Sequence, residues 1–208
     1  MSFLLSLIFP DKCPYCGSII PYRETSCQKC RSEFPRIPKI KQLPSENYCV
    51  APFAYDGNVR QAVLAYKFKG TKFNAESFSE EIAKAVMTSE MSADIVTYVP
   101  TSNSSRRKRG FDQSDIIARK TAKLLNIPFA TLLRKTGKNM VQHELDSERR
   151  RTNVIGVYTA VSCEKSRGKR VLLIDDICTT GSTLSECSRV LLSAGAQKVY
   201  CASVAIVE

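Results

Sequence analysis

Val171-Leu172-Leu173-Ile174-Asp175-Asp176-Ile177-Cys178-Thr179-Thr180-Gly181-Ser182-Thr183 is the stretch whose reading decides the fold. Its first four residues form a continuous apolar run, the pattern of a strand buried on both faces. The strand ends in two adjacent carboxylates. A turn of small hydroxyl residues and glycine follows, and Ser182 or Thr183 is placed to cap a helix carrying Leu184, Cys187, Leu191 and Ala194 on one face, with Gly195 as its stop. Val199 to Val207 then alternates as a last strand. Strand, helix and strand in that order make a βαβ unit, so the body is an α/β domain with a largely parallel sheet. In such sheets ligands bind beyond the carboxyl ends of the strands. A Gly- and hydroxyl-rich turn opening a helix exposes backbone N–H groups and suits phosphate. Asp175 and Asp176 would repel phosphate, so they are expected to face hydroxyl groups of a sugar or a divalent ion.

Working outward, residues 57–69 place Val59, Ala62, Val63 and Tyr66 on one helical face before Gly70, and residues 75–89 do the same with Phe78, Ile82, Ala85 and Val86. Ile95 to Val99 reads as a buried strand ended by Pro100. Residues 114–126 form a basic amphipathic helix with Ile117, Thr121, Leu124 and Leu125 inward and Arg119, Lys120 and Lys123 outward.

The chain has 208 residues, 43% of them apolar, enough for a core. It carries nine cysteines. Cys13, Cys16, Cys27 and Cys30 are spaced C-x2-C-x10-C-x2-C, two knuckles that together offer four thiolates in a tetrahedron, the ligand set of a structural zinc site. Gly17 tolerates the turned backbone of the first knuckle, and Arg31 beside the second can offset thiolate charge. Two disulfides or an iron–sulfur cluster are the rival uses. The remaining cysteines are scattered singly, and Cys187 and Cys201 fall in apolar segments as small hydrophobes. Residues 1–35 are read as the ribbon with an apolar leader (Phe3, Leu4, Leu5, Leu7, Ile8, Phe9), 36–48 as a Pro-rich linker, and 49–208 as the α/β domain. The leader is expected to pack on a small domain rather than to act as a signal peptide, and no apolar run reaches the ~20 residues of a membrane span.

Lys and Arg number 31 against 20 Asp and Glu, a formal charge of +11. That excess favours polyanions: nucleic acid, phosphorylated small molecules or an anionic membrane surface. Its densest runs are Arg106-Arg107-Lys108-Arg109 and Arg149-Arg150-Arg151, with Lys67, Lys69 and Lys72 as a third patch. Phe111, beside the first run, is a candidate to stack a nucleic-acid base. His143, the only histidine, reads as a loop residue rather than a catalyst.

The stretch Val171 to Thr183 resembles the 5-phosphoribosyl-1-pyrophosphate (PRPP) motif of type I phosphoribosyltransferases. The resemblance implies that Asp175 and Asp176 hold the ribose hydroxyls and that Thr179, Thr180, Gly181, Ser182 and Thr183 form the 5′-phosphate loop. It places Cys178 at a variable position open to solvent. Val99-Pro100-Thr101-Ser102 stands where such a fold keeps its pyrophosphate loop, which makes Thr101 and Ser102 further ligand contacts. With Arg109-Gly110-Phe111-Asp112-Gln113, with Gln142, Leu145, Arg150 and Asn153 in the spacing Q-x2-L-x4-R-x2-N, and with the cysteine ribbon in front, nearly the whole chain resembles the ComF family of competence proteins. Asp112 departs from the Asn that the family commonly carries there.

The fold so implied is a parallel-sheet type I phosphoribosyltransferase-like domain with a small N-terminal zinc ribbon. The function implied is a PRPP-binding competence protein that handles incoming single-stranded DNA in natural transformation. Structural Zn²⁺ and Mg²⁺ accompanying PRPP are the expected cofactors, and other competence proteins are expected partners. The location implied is the cytoplasm, with the inner membrane face left open to the leader. DNA contacts are expected from Arg106, Arg107, Lys108, Arg109, Phe111, Arg149, Arg150 and Arg151. The alternative is an active phosphoribosyltransferase acting on an unidentified nitrogen acceptor, with Asp175, Asp176, Arg106 and Arg109 as catalytic residues. The sequence leaves open whether the protein is an enzyme.

Overall fold

A computed structural model describes residues 10–102, 107, 110–136 and 156–208. In chain order its elements are α1 (Gln28–Glu33), β1 (Lys39–Gln42), β2 (Tyr48–Ala51), β3 (Phe53–Ala54), α2 (Gly57–Phe68), α3 (Asn74–Thr88), β4 (Ile95–Tyr98), α4 (Gln113–Leu125), β5 (Leu133–Lys135), β6 (Tyr158–Ala160), α5 (Cys163–Ser166), β7 (Arg170–Cys178), α6 (Ser182–Ser193) and β8 (Lys198–Ile206).

The main sheet runs β1-β2-β8-β7-β4, with β3 continuing beside β8. The pairs β4–β7, β7–β8, β2–β8 and β3–β8 are parallel, and only β1 lies antiparallel to its neighbour. The expected βαβ unit is β7-α6-β8. Successive side chains of a strand point to opposite faces, and β7 feeds two cores. Leu172 and Ile174 meet Ala62, Val63, Tyr66, Phe78, Ile82 and Ile117 of α2, α3 and α4. Val171 and Leu173 meet Leu184, Cys187 and Leu191 of α6 and Leu132, Leu133 and Tyr158 around the β5–β6 hairpin.

The ribbon packs into the first of these cores. Tyr15, Ile20 and Cys30 are buried in it. Tyr15 stands edge-on to Phe34 at 4.8 Å and to Phe53 at 5.6 Å, and its hydroxyl shares a 3.0 Å hydrogen bond with Ser77 of α3. Thr25 donates to Glu80 on the same helix at 2.6 Å. A ribbon of this size cannot bury enough apolar surface alone, and the sheet-flanking helix supplies the rest.

Several details differ from the sequence reading. The 36–48 segment read as a linker carries β1, an edge strand in register with β2 from Lys39↔Ala51 to Gln42↔Tyr48. Its prolines flank that strand instead of interrupting it. Leu124, expected inward, is 53% exposed, because the ridge of α4 that meets the sheet runs through Ile117, Ala118, Thr121 and Ala122. The strand beginning at Val171 extends through Cys178, so both aspartates belong to its last turn of pleat. Cys178, expected at the surface, is 1% exposed and packs in the second core, while Cys187 and Cys201 are buried as expected. Among the described residues no helix is long and apolar enough to cross a membrane. The leader lies outside the described residues.

Candidate functional site

Strands β4 and β7 end side by side. Tyr98 is in register with Ile174, and the Val99 amide donates to the Ile174 carbonyl at 2.9 Å. The chain leaving β4 and the two aspartates ending β7 therefore meet at one edge of the sheet. Val99, Pro100, Thr101, Asp112, Gln113, Ser114, Lys135, Tyr158, Asp175, Asp176 and Thr183 line a cleft of about 150 Å³ there.

The two carboxylates have different surroundings. Asp175 accepts from the Ser114 hydroxyl at 3.0 Å and from the Asp176 amide at 2.8 Å. Burial, followed by the neighbouring charge of Asp176, pushes its carboxyl up to about 7. Asp176 has a cation of its own: the Lys67 ammonium at 2.8 Å, from the last turn of α2. Across the cleft, Asp112 accepts from the Thr101 amide at 2.9 Å. Its other oxygen is buried without a hydrogen-bond partner among the described residues, and burial raises its pKa. Lys135 brings a positive charge to the same cleft, its ammonium 5.3 Å from the centre of the Tyr158 ring.

Beyond β7, Thr179 and Thr180 are exposed and Gly181 turns the chain into α6 with φ +79°. The expected hydroxyl cap is absent: the N-cap residue is Gly181, and no side chain caps the helix. The Thr180 and Ser182 hydroxyls lie 3.0 Å from each other instead. The N-terminal amides of a 12-residue helix thus point at an open loop, which is what an anion site requires. Gly181 is needed twice over. Its φ is unfavourable for any L side chain, and a Cβ there would stand 2.5 Å from Cδ2 of Leu43, in the turn between β1 and β2.

At the other end of the molecule, the Sγ atoms of Cys13, Cys16, Cys27 and Cys30 all lie within 4.8 Å of one another, with Cys16 and Cys27 at 3.6 Å. Four thiolates bound to one zinc at ~2.3 Å would stand ~3.8 Å apart, so the donor set and its spread fit that ion. Gly17 has φ +76°, and the Cys30 amide donates to Cys27 Sγ at 3.4 Å. Arg31 does not face the thiolates freely; its guanidinium pairs with Glu24 and donates to the Ser26 carbonyl at 2.9 Å.

Comparison with known proteins agrees with both halves. Residues 4–51 match the double zinc ribbon domain family and residues 113–206 the phosphoribosyl transferase domain family. The chain is 25% identical to Competence protein F of Haemophilus influenzae over 194 residues, covering 90% of this chain and 81% of that protein. It is 25% identical to Competence protein ComFC of Bacillus subtilis, covering 88% of this chain and 72% of that protein. The chain belongs to the ComF family. A further relative is the DNA utilization protein YhgH of Escherichia coli, 24% identical over 193 residues, covering 90% of this chain and 80% of that protein. The fold is accordingly that of the type I phosphoribosyltransferases behind a zinc ribbon.

In this ComF-family chain the edge of the sheet brings together Asp175, Asp176, Thr183 and Thr101 as the sequence reading expected. Phe111 is a correction. The ring, expected to stack a base, is 8% exposed and packs against Tyr66 at 5.6 Å, because the turn before α4 folds it into the first core. Arg106, Lys108, Arg109, Arg149, Arg150 and Arg151 lie outside the described residues, as do Gln142, His143, Leu145 and Asn153; Arg107 is described and exposed. The sequence reading missed Lys67 and Ser114 as partners of the aspartates, and Lys135 and Tyr158 as cleft walls. The Lys67 signal was present only as a basic patch on a helix end.

Proposed function

We propose that this chain binds PRPP, or a closely related phosphoribosyl ligand, at the β4–β7 edge and takes part in handling incoming single-stranded DNA during natural transformation. The observation that carries the reading is the junction at Gly181, where an uncapped helix N-terminus follows directly on two carboxylates at the end of a parallel strand. On this reading the amides and hydroxyls of Thr179 to Thr183 take the 5′-phosphate. Asp175 and Asp176 accept hydrogen bonds from the ribose hydroxyls, and the loop at Thr101 and Ser102 faces the diphosphate. The cleft's donors are hard oxygens of the kind Mg²⁺ accepts, and Asp175 and Asp176 would be its nearest protein ligands. When bound with the ligand, that ion would supply charge neutralisation for the diphosphate. Zn²⁺ held by Cys13, Cys16, Cys27 and Cys30 would close the ribbon and keep Tyr15 on α3.

The part played in DNA handling rests on the names of the relatives and on the formal charge of +11, more than one diphosphate needs. Two measurements test the proposal. Calorimetric titration with PRPP and Mg²⁺ should give saturable binding that an Asp175→Ala, Asp176→Ala variant loses. Titration with single-stranded DNA should give binding that weakens steeply with salt. Undiminished PRPP affinity in the double variant would remove the site assignment, and no DNA binding at low salt would remove the second half. Pyrophosphate release on adding candidate nitrogen bases would favour the transferase alternative.

A further inference from the structure

Residues 57–75 contain Arg60, Lys67, Lys69 and Lys72 and no aspartate or glutamate. Helix α2 ends within this stretch. Tyr66 is fully buried, with its hydroxyl donating to the Gln113 carbonyl at 2.9 Å, whereas Phe68, the last helical residue, is 66% exposed. Lys69, Gly70, Thr71 and Lys72 after it are exposed as well. Gly70 turns the corner with φ +69°. The ammonium of Lys72 lies 5.1 Å from the centre of the Phe111 ring, so the buried aromatic serves as a seat for a surface cation. Among the described residues no ion pair engages Lys69 or Lys72. Lys67, in the same turn as Phe68, points the other way and ends 2.8 Å from Asp176.

We propose that this corner is a contact for single-stranded nucleic acid, with Phe68 stacking on a base and Lys69 and Lys72 following the phosphates. The inference rests on the DNA-handling reading and assigns residues to it. An exposed ring flanked by unopposed lysines is the combination that binds single strands with little sequence preference, and a duplex offers no free base face to such a ring. The unopposed positive charge and the aromatic ring together favour this occupant over an acidic peptide or an anionic membrane, which need only the charge. The position is also informative: the corner continues directly from the lysine that holds Asp176, so strand and phosphoribosyl ligand would meet on neighbouring surfaces.

Fluorescence anisotropy of the full chain with a labelled oligothymidylate, repeated over a salt series, tests this. Phe68→Ala should weaken binding about tenfold with the salt slope unchanged, and Phe68→Tyr should restore it. Lys69→Ala with Lys72→Ala should lower the slope by about 1.4, the share of two phosphate contacts. All these positions are exposed, so unchanged melting temperatures should accompany the losses. If the wild type binds and the Phe68, Lys69, Lys72 triple variant binds equally well, the corner is not the contact while the DNA-handling reading stands. If the wild type does not bind the oligonucleotide at low salt, both fall. Equal loss of binding to duplex DNA or to phosphatidylserine vesicles in the Phe68→Ala variant would overturn the stacking role.

Discussion

The Lys67 ammonium stands 2.8 Å from the Asp176 carboxylate and has no equivalent at Asp175. Two adjacent carboxylates at a partly buried strand end cannot both ionise cheaply. The fold resolves this by giving one of them a cation from α2 and the other a serine hydroxyl and a backbone amide. The result is a pair with unequal proton affinities: Asp175 is held up to about 7 by burial and by its ionised neighbour. Lys67 acts on both, since its charge also works against the rise at Asp175.

Stability should therefore depend on pH through Asp175. An unfolded aspartate ionises near 4, and the folded one near 7. Between those values the folded chain binds the extra proton, so the stabilisation is complete below about pH 4 and lost as pH rises through about 7. Asp175→Asn has no such proton to lose. Its melting temperature should exceed that of the wild type by about 2–6 °C at pH 8 and by little at pH 5. Lys67→Met should move the wild-type transition to higher pH. Calorimetric melting across this range measures both; a pH-independent difference between Asp175→Asn and wild type would contradict the assignment.

Asp112 joins the turn before α4 to the loop after β4 by accepting from the Thr101 amide. Its charge faces the place where a diphosphate is expected. Asn can keep the hydrogen bond and drop the charge. Asp112→Asn should bind PRPP about three- to tenfold more tightly, the effect of removing one like charge several ångströms away in a partly screened site. Asp112→Ala should release Thr101 and gain less or lose affinity. Isothermal titration of the two variants decides it, and tighter binding by Ala than by Asn would show that the hydrogen bond is immaterial.

The contact between Gly181 and Leu43 makes the phosphate turn sensitive to a residue outside it. Gly181→Ala should lower stability by about 1–3 kcal/mol through its positive φ and the clash together. Adding Leu43→Ala should recover the part due to the clash and leave the part due to φ. A urea-unfolding double-mutant cycle should thus give a coupling of at least about 0.5 kcal/mol. Additivity would mean that the two residues do not touch in solution.

Zinc removal should affect more than the ribbon. Tyr15, Ile20 and Cys30 share a core with Phe53, Phe78 and Ile82. Chelation under reducing conditions, or Cys30→Ser, should lower the melting temperature of the whole chain in a single transition and release about one equivalent of zinc. Tyr15→Phe, which only removes the hydrogen bond to Ser77, should cost about 1 kcal/mol and leave the metal in place. Two separate transitions after chelation would show that ribbon and body fold independently.

Much of the fold was legible because its signals are local. The apolar run at 171–174, the turn and the 3.6-residue pattern of 184–194 each reflect the conformation of a few neighbouring residues. The Phe111 and Leu124 readings failed for the opposite reason. Phe111 sits in a basic, polar stretch and is buried only because α2 delivers Tyr66 to it. Leu124 fits the apolar stripe of its helix, yet the neighbouring ridge is the one that meets the sheet. The strand β1 escaped notice because an edge strand of four residues between prolines has no periodicity to show.

By itself the sequence determined the strand–turn–helix that carries Asp175 and Asp176, the glycine that lets it turn, and the four cysteines at metal-binding spacing. Chelate spacing, turn chemistry and side-chain periodicity act over a few bonds and can be read from the chain alone. The tertiary structure decided which groups those residues meet. Ser114 and Asp175 are 61 residues apart, and nothing local to either specifies the other. Lys67 on Asp176, Asp112 on Thr101 and Leu43 against Gly181 are likewise set by the order β1-β2-β8-β7-β4 and by the helices packed on it. Strand order is the outcome of burying both faces of one sheet at once, a balance over the whole chain.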